Sequence, residues 1–135
     1  FDVFDRALKS RRYGLWSPFL KFFFSGEPRV NQTDMIQTCN MAFFRTDCIS
    51  VNGFNEKFVG WGREDTEFGI RLINSGIQRR NLKFAAIAYH LHHDGESRGS
   101  LVQNDLILQQ TIDRSLIRCE DGIDKYLKQA AQIIP

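Results

Sequence analysis

Gly60-Trp61-Gly62-Arg63-Glu64-Asp65-Thr66-Glu67-Phe68-Gly69-Ile70-Arg71-Leu72 sets an aromatic residue between two glycines and then opens directly into acids. The spacing predicts a helix over Glu64 to Asn74, with Phe68, Leu72 and Ile73 as its apolar stripe and Ser75-Gly76 as its end. Asp65 lies three, four and seven residues before Phe68, Gly69 and Leu72, so it shares the apolar face and is expected to point inward. Glu67 has Arg63 and Arg71 four residues away on either side and reads as half of a solvated ion pair. Acids in a first helical turn are favoured by the macrodipole and by free backbone N–H groups, so capping explains much of this pattern. The inward register of Asp65 and the Gly-Trp-Gly approach point further. An aromatic face stacks on the C–H face of a sugar and adjacent carboxylates accept from its hydroxyls, a combination suited to a carbohydrate acceptor.

Upstream, Cys39-Asn40-Met41-Ala42-Phe43-Phe44 reads as a short buried strand. Thr46 is the expected N-cap of a helical turn over Asp47 to Val51, which Asn52-Gly53 ends. Phe54 to Val59 is a loop. Residues 1–35 form a basic and aromatic segment, with Lys9, Arg11, Arg12, Tyr13 and Trp16 followed by Phe19, Lys21, Phe22, Phe23 and Phe24. These aromatics are expected to pack on a protein body of which this chain is only a part. A second reading is peripheral contact of residues 9–24 with an anionic membrane.

Downstream, Phe84-Ala85-Ala86-Ile87-Ala88-Tyr89 reads as a buried strand that runs into His90-Leu91-His92-His93-Asp94. All three histidines of the chain lie in this cluster. Alternation along a strand puts His90, His92 and Asp94 on one side. Clustered imidazoles beside a carboxylate raise the prospect of a metal site without settling which of them binds. After a loop over Gly95 to Ser100, Leu101, Leu108, Ile112 and Leu116 recur at helical spacing, as do Ile123, Leu127, Ala130 and Ile134. Two C-terminal helices are therefore expected within residues 99–135, separated near Cys119 to Gly122.

At 135 residues, with 42% hydrophobic and 25% charged residues, the chain has the composition of one soluble globular domain. A formal net charge of +2 gives no indication of a nucleic-acid partner. Cys39, Cys48 and Cys119 are an odd number in no metal-ligand spacing, which fits a reducing, cytoplasmic setting better than a disulfide framework. No apolar run approaches the ~20 residues needed to span a bilayer, and nothing resembles a cleavable signal.

Taken in order, Asn40-Met41-Ala42-Phe43, Val51-Asn52-Gly53-Phe54-Asn55-Glu56, Gly60-Trp61-Gly62-Arg63-Glu64-Asp65, Arg71-Leu72 and Ala88-Tyr89-His90 resemble the C-terminal half of a family 2 inverting glycosyltransferase. The set also resembles the galactosyltransferase-type module shared by β-1,4-galactosyltransferases and bacterial chondroitin polymerase. The similarity runs from about Thr38 to Asp94, and Arg118-Cys119-Glu120-Asp121-Gly122 is similar to the tail of bacterial relatives. The resemblance implies an α/β chain with a partial GT-A fold, in which residues 36–98 form the acceptor- and metal-binding module and 99–135 a helical extension. It implies Asp65 as the catalytic base, Glu64, Trp61, Gly62 and Arg63 at the acceptor, and Asn40 and Met41 on the donor side. His90 would be a ligand to a divalent cation, Mn²⁺ or Mg²⁺, ahead of His92 and His93. The partners implied are a nucleotide-sugar donor, UDP-linked by preference, and a glycan or lipid-linked acceptor, with work at the inner face of the membrane in polysaccharide or lipopolysaccharide synthesis.

Inversion is a single displacement, so it needs a base beside the nucleophile and charge stabilisation at the leaving group rather than a covalent nucleophile. The family's Asp-x-Asp metal motif occurs nowhere in the chain. The expectation is that a nucleotide-sugar-binding half precedes Phe1 and that this segment alone transfers nothing. Two other classes stay open. His90, His92 and Asp94 fit the H-x-H-x-D of metallo-β-lactamase-type hydrolases, although Gly95 stands where that family has histidine. A non-catalytic carbohydrate-binding module would keep Trp61 and have no need of Asp65.

Overall fold

The computed structural model describes residues 17–24, 36–80 and 98–133. The chain divides into two units, residues 1–30 with 78–92, and residues 31–77 with 93–135.

Within the first unit, helix α1 (Pro18–Phe24) begins at a proline, whose missing N–H is no loss in a first turn. The Ser17 hydroxyl accepts from the Leu20 N–H at 3.2 Å, and the Ser17 carbonyl accepts from the Lys21 N–H at 2.9 Å. Phe19, Phe22 and Phe23 are 69%, 83% and 63% exposed.

The second unit is organised around α3 (Glu64–Asn74), which begins and ends where its spacing predicts. Helix α2 (Arg45–Ser50) precedes it, and α4 (Leu101–Asp113) and α5 (Asp124–Ile133) follow. Three of these helices end in the same way. After α2, the Asn52 N–H donates to the Ile49 carbonyl and the Gly53 N–H to the Cys48 carbonyl, with Asn52 at φ 67°. Gly76 and Ile77 repeat the arrangement after α3, and Ser115 and Leu116 repeat it after α4. Each left-handed residue lets the chain turn back and satisfy carbonyls that the helix leaves free.

Val51, Phe68 and Leu72 form the apolar core, with Met41, Cys48, Phe54 and Ile77 packed against it. Phe54 stacks on Phe68 with ring centroids 4.3 Å apart, and Phe43 meets the same ring edge-on at 5.0 Å. Six consecutive residues of α3, Glu67 to Leu72, are buried. Such a run covers every side of a helix, so α3 is a central rod rather than a surface helix with one apolar stripe.

Three expectations change. Cys39–Phe44 is not a buried strand: Thr38–Asn40 is a 3-10 turn, Met41 to Phe44 runs extended without helix or strand pairing, and Phe43 and Phe44 are 42% and 78% exposed. The apolar run satisfies strand periodicity, but no neighbouring strand takes its backbone groups among the described residues. Helix α2 starts at Arg45 after Phe44, without a side-chain cap, so Thr46 lies inside it. The core-facing positions of α4 include the polar Asn104 and Thr111, both buried, while Ile112 is 44% exposed. The strand expected over Phe84–Tyr89, and with it the sheet of a GT-A frame, falls outside the described residues.

The segment after α4 locks onto the end of α2. The Asn52 amide donates to the Cys119 carbonyl at 3.0 Å and its Oδ1 accepts from the Asp124 N–H at 2.9 Å, while the Ile123 N–H donates to the Asn52 carbonyl. Gly122 is glycine because an added Cβ would lie 1.9 Å from the Asn52 carbonyl oxygen. At the rim, Lys125 bridges Glu56 and Asp121 at 2.6 and 2.8 Å, which holds its ammonium pKa above the usual lysine range. Cys48 and Cys119 are free thiols whose pKa is pushed up, chiefly by burial. Among the described residues no helix is long and apolar enough to cross a membrane.

Candidate acceptor site at the start of the central helix

The loop leading into α3 needs unusual backbone. Gly60, Gly62 and Arg63 all have positive φ, at 67°, 109° and 81°. Two of these are glycines, which take the conformation without strain, and a Cβ on Gly62 would also press on Leu101 at 3.0 Å. The loop turns Trp61 outward, 44% exposed, while Gly62 is buried beneath it.

Asn104, on α4, holds the loop from below. Its amide donates to the Val59 carbonyl at 3.1 Å and to the Gly62 carbonyl at 3.0 Å, so one buried side chain fixes both ends of the turn that carries Trp61. Arg63, expected at the acceptor, makes an exposed ion pair with Asp105 of α4 at 2.5 Å. Arg98, just before α4, lays its guanidinium over the Trp61 ring, 4.8 Å from the centroid.

The two acids that open α3 differ in their engagement. Asp65 is half-buried and ties the 3-10 turn to the helix: Oδ1 accepts from the Thr38 hydroxyl at 2.5 Å and Oδ2 from the Thr38 N–H at 2.9 Å. Its inward register is as expected, and its partner is Thr38. Glu64 is half-buried too, but its Oε2 is fully buried with no hydrogen-bond partner. A buried carboxylate oxygen without a donor is unfavourable unless a ligand or water supplies one. The contact to Thr38 brings the segment carrying Asn40 and Met41 to this end of α3. Asn40 is exposed, whereas Met41 packs against the core cluster.

Glu67 departs furthest from its sequence reading. It is 1% exposed and Arg71 is fully buried. Arg71 donates through Nε to Oε1 at 2.7 Å and through a terminal nitrogen to Oε2 at 2.9 Å, then reaches the carbonyls of Val51 at 2.5 Å and Gly53 at 2.7 Å. Thr111 of α4 donates its hydroxyl to Glu67 Oε1 at 3.1 Å. The pair is therefore the polar centre of the unit. A solvated pair would leave these donors and acceptors to water, whereas here α2 and α4 supply partners for them.

His90, His92, His93 and Asp94 lie outside the described residues. Among the described residues no cluster of three or more metal-binding side chains occurs. Asn104 and Thr38 were not singled out from sequence. Asn104 and Thr111 sit at i+3 and i+10 from Leu101, on the same helical face as Leu108. A polar residue inside an otherwise apolar register was the available signal for both. Thr38, 27 residues before Asp65, carried none.

The family described as the N-terminal domain of galactosyltransferase matches residues 26–94, just over half of the 135-residue chain, and the chain belongs to that family. The matched segment contains the Trp61 loop, α3 and the histidine cluster. A further similarity is to chondroitin synthase of Escherichia coli, 39% identical over 57 residues, which is 42% of this chain and 8% of that protein. The chain thus covers a small part of that relative's length. No solved structure matches it.

Proposed function

We propose that this chain is the acceptor-binding and catalytic-base module of an inverting glycosyltransferase, which transfers a sugar from a nucleotide-sugar donor to a glycan or lipid-linked acceptor. Membership of the galactosyltransferase-domain family supports the reaction class. The observation that carries the acceptor role is the partnerless buried oxygen of Glu64 beside the half-exposed Trp61. A sugar stacked on the indole presents hydroxyls along its edge, and one of them satisfies Glu64 once that side chain turns out to meet it.

In this reading Asp65 is the base. Each carboxylate oxygen has two lone-pair sites, so an acceptor hydroxyl can share Asp65 with Thr38 or take the place of the Thr38 hydroxyl. The attacking oxygen gives its proton to Asp65 as it bonds to the anomeric carbon, and the nucleotide diphosphate leaves from the opposite face. His90 is the proposed ligand for Mn²⁺ or Mg²⁺, with His92 and His93 behind it. When bound, such an ion neutralises charge on the leaving diphosphate. A GT-A frame completed by a donor-binding region belongs to the same proposal, as do the donor-side placement of Asn40 and Met41 and a UDP-linked donor. The exposed Phe19, Phe22 and Phe23 beside Lys21 support peripheral contact with a membrane's inner face.

A second reading of the base rests on one observation: Glu64, not Asp65, has the free oxygen. Transfer assays on the full-length enzyme separate the two. Asp65→Asn should remove turnover and leave nucleotide-sugar binding intact, whereas Glu64→Gln should mainly raise the acceptor KM. The reverse pattern assigns the base to Glu64, and wild-type turnover in both variants overturns the transferase mechanism at this site.

A further inference from the structure

The guanidinium of Arg98 occupies the ring of Trp61, the surface on which an acceptor sugar is proposed to stack. Its place is built into the fold. The Arg98 carbonyl accepts from the Leu101 N–H at 3.1 Å at the start of α4, three residues before the Asn104 that clamps the Trp61 loop. One helix therefore sets both the platform and the cation above it.

Charge decides what such a cation is for. Glu64 and Asp65 lie in the first turn of α3, directly after the Trp61 loop, and Arg63 is committed to Asp105 at 2.5 Å. Among the described residues Arg98 has no carboxylate partner, and its contact with Trp61 is a cation–π interaction at an exposed site, the weaker kind. That hold is weak enough for a ligand to displace or share. A neutral sugar that moved the guanidinium aside would give it nothing in return, whereas an anionic sugar would replace the ring contact with a charge-assisted one. A planar guanidinium released from the indole matches a carboxylate or sulfate through paired N–H···O bonds.

We propose that Arg98 is a specificity determinant which selects an acceptor bearing an anionic group, a hexuronate carboxylate or a sulfate ester, on the sugar that stacks at Trp61. The proposal rests on the acceptor-platform reading. Once the sugar is seated, its ring lies against the indole, Glu64 accepts from a hydroxyl, and the anionic substituent draws Arg98 off the ring edge.

Binding of oligosaccharides to the 135-residue chain, followed by tryptophan fluorescence in a Trp16→Phe background so that Trp61 is the reporting indole, tests this. The probes are a hexuronate-terminated oligosaccharide, its carboxyl-reduced neutral counterpart and a sulfated form of that neutral sugar. Expected is a preference of about tenfold for an anionic probe over the neutral one, the size of one charge-assisted contact. Arg98→Gln should abolish the preference and leave neutral binding equal or somewhat tighter, since the ring is then free of its cation, and Arg98→Lys should keep part of the preference. Whichever anionic probe binds more tightly identifies the source of the charge. Equal affinity for all three probes, or a preference that survives Arg98→Gln, overturns the proposal and leaves the platform standing. If no probe perturbs Trp61 and Trp61→Ala changes nothing, the platform fails and Arg98 falls with it.

Discussion

The middle of α3 and the loop that leads into it use the same residue types, acids and arginines, and treat them oppositely. Glu67 and Arg71 are sealed at 1% and 0% exposure, bonded to each other, to the Val51 and Gly53 carbonyls just after α2 and to the Thr111 hydroxyl of α4. Glu64 keeps a buried oxygen unpartnered, Arg63 makes a pair with Asp105 at 46% and 47% side-chain exposure, and Trp61 faces outward. One turn of helix separates a pair whose donors and acceptors are all matched inside the fold from a region of exposed pairs and one unmatched carboxylate oxygen. Stability and function are thus expected to respond to different residues only a few positions apart.

The strongest way to break that contrast is at Arg71. Arg71→Met removes the partner of a buried carboxylate and strands the Val51 and Gly53 carbonyls, so unfolding in urea should show a loss of about 3–5 kcal/mol. A loss below about 1 kcal/mol, the range of exposed ion pairs, would mean that the pair is solvated after all.

That prediction turns on the residue the sequence placed least well. An i,i+4 Glu–Arg pair looks the same whether it faces water or the core, and the burial of Glu67 depends on Thr111, 44 residues away. The limits of α3 were legible because they are set locally, by helical spacing and by Gly76 at the turn. So was the stop at Asn52-Gly53, where left-handed residues have few substitutes. The strand expected over Cys39–Phe44 is absent because strand formation depends on a neighbour that periodicity does not reveal. In the site, Trp61, Glu64 and Asp65 were legible as contiguous residues, whereas Asn104 and Thr38 arrive through tertiary contacts and left little or no local trace.

Next in size is Asn104. Asn104→Leu keeps much of the volume but leaves the Val59 and Gly62 carbonyls without a donor, and a stability loss of about 2–3 kcal/mol is expected. The Trp61 loop should also loosen, seen as faster quenching of Trp61 by acrylamide in a Trp16→Phe background. If stability falls and quenching does not change, Asn104 supports the core and not the platform.

Asp65 lies at the boundary of the two regions. Asp65→Asn keeps one acceptor oxygen for Thr38 and loses the charge, so denaturation should report a loss of only about 1–1.5 kcal/mol. Transfer by the full-length enzyme should nevertheless disappear. Thr38→Val is the control, since it removes the hydroxyl donor and leaves the carboxylate; it should reduce stability by a similar amount and retain turnover. Loss of turnover in Thr38→Val as well would make the Asp65 effect one of positioning rather than proton transfer.

The smallest stability effect is expected where the proposed function is most exposed. Trp61 is 44% exposed and its described ring partner is the Arg98 guanidinium, so Trp61→Ala should change the unfolding free energy by less than about 1 kcal/mol. The loop itself does not depend on the indole, because Asn104 grips backbone carbonyls on either side of it. A large aromatic ring this exposed, on a loop clamped independently of it, is open to contact from outside. Oligosaccharide binding that vanishes in Trp61→Ala while the denaturation midpoint stays put would place the indole with the ligand-facing region; a midpoint that drops as it does for Arg71→Met would place it with the core.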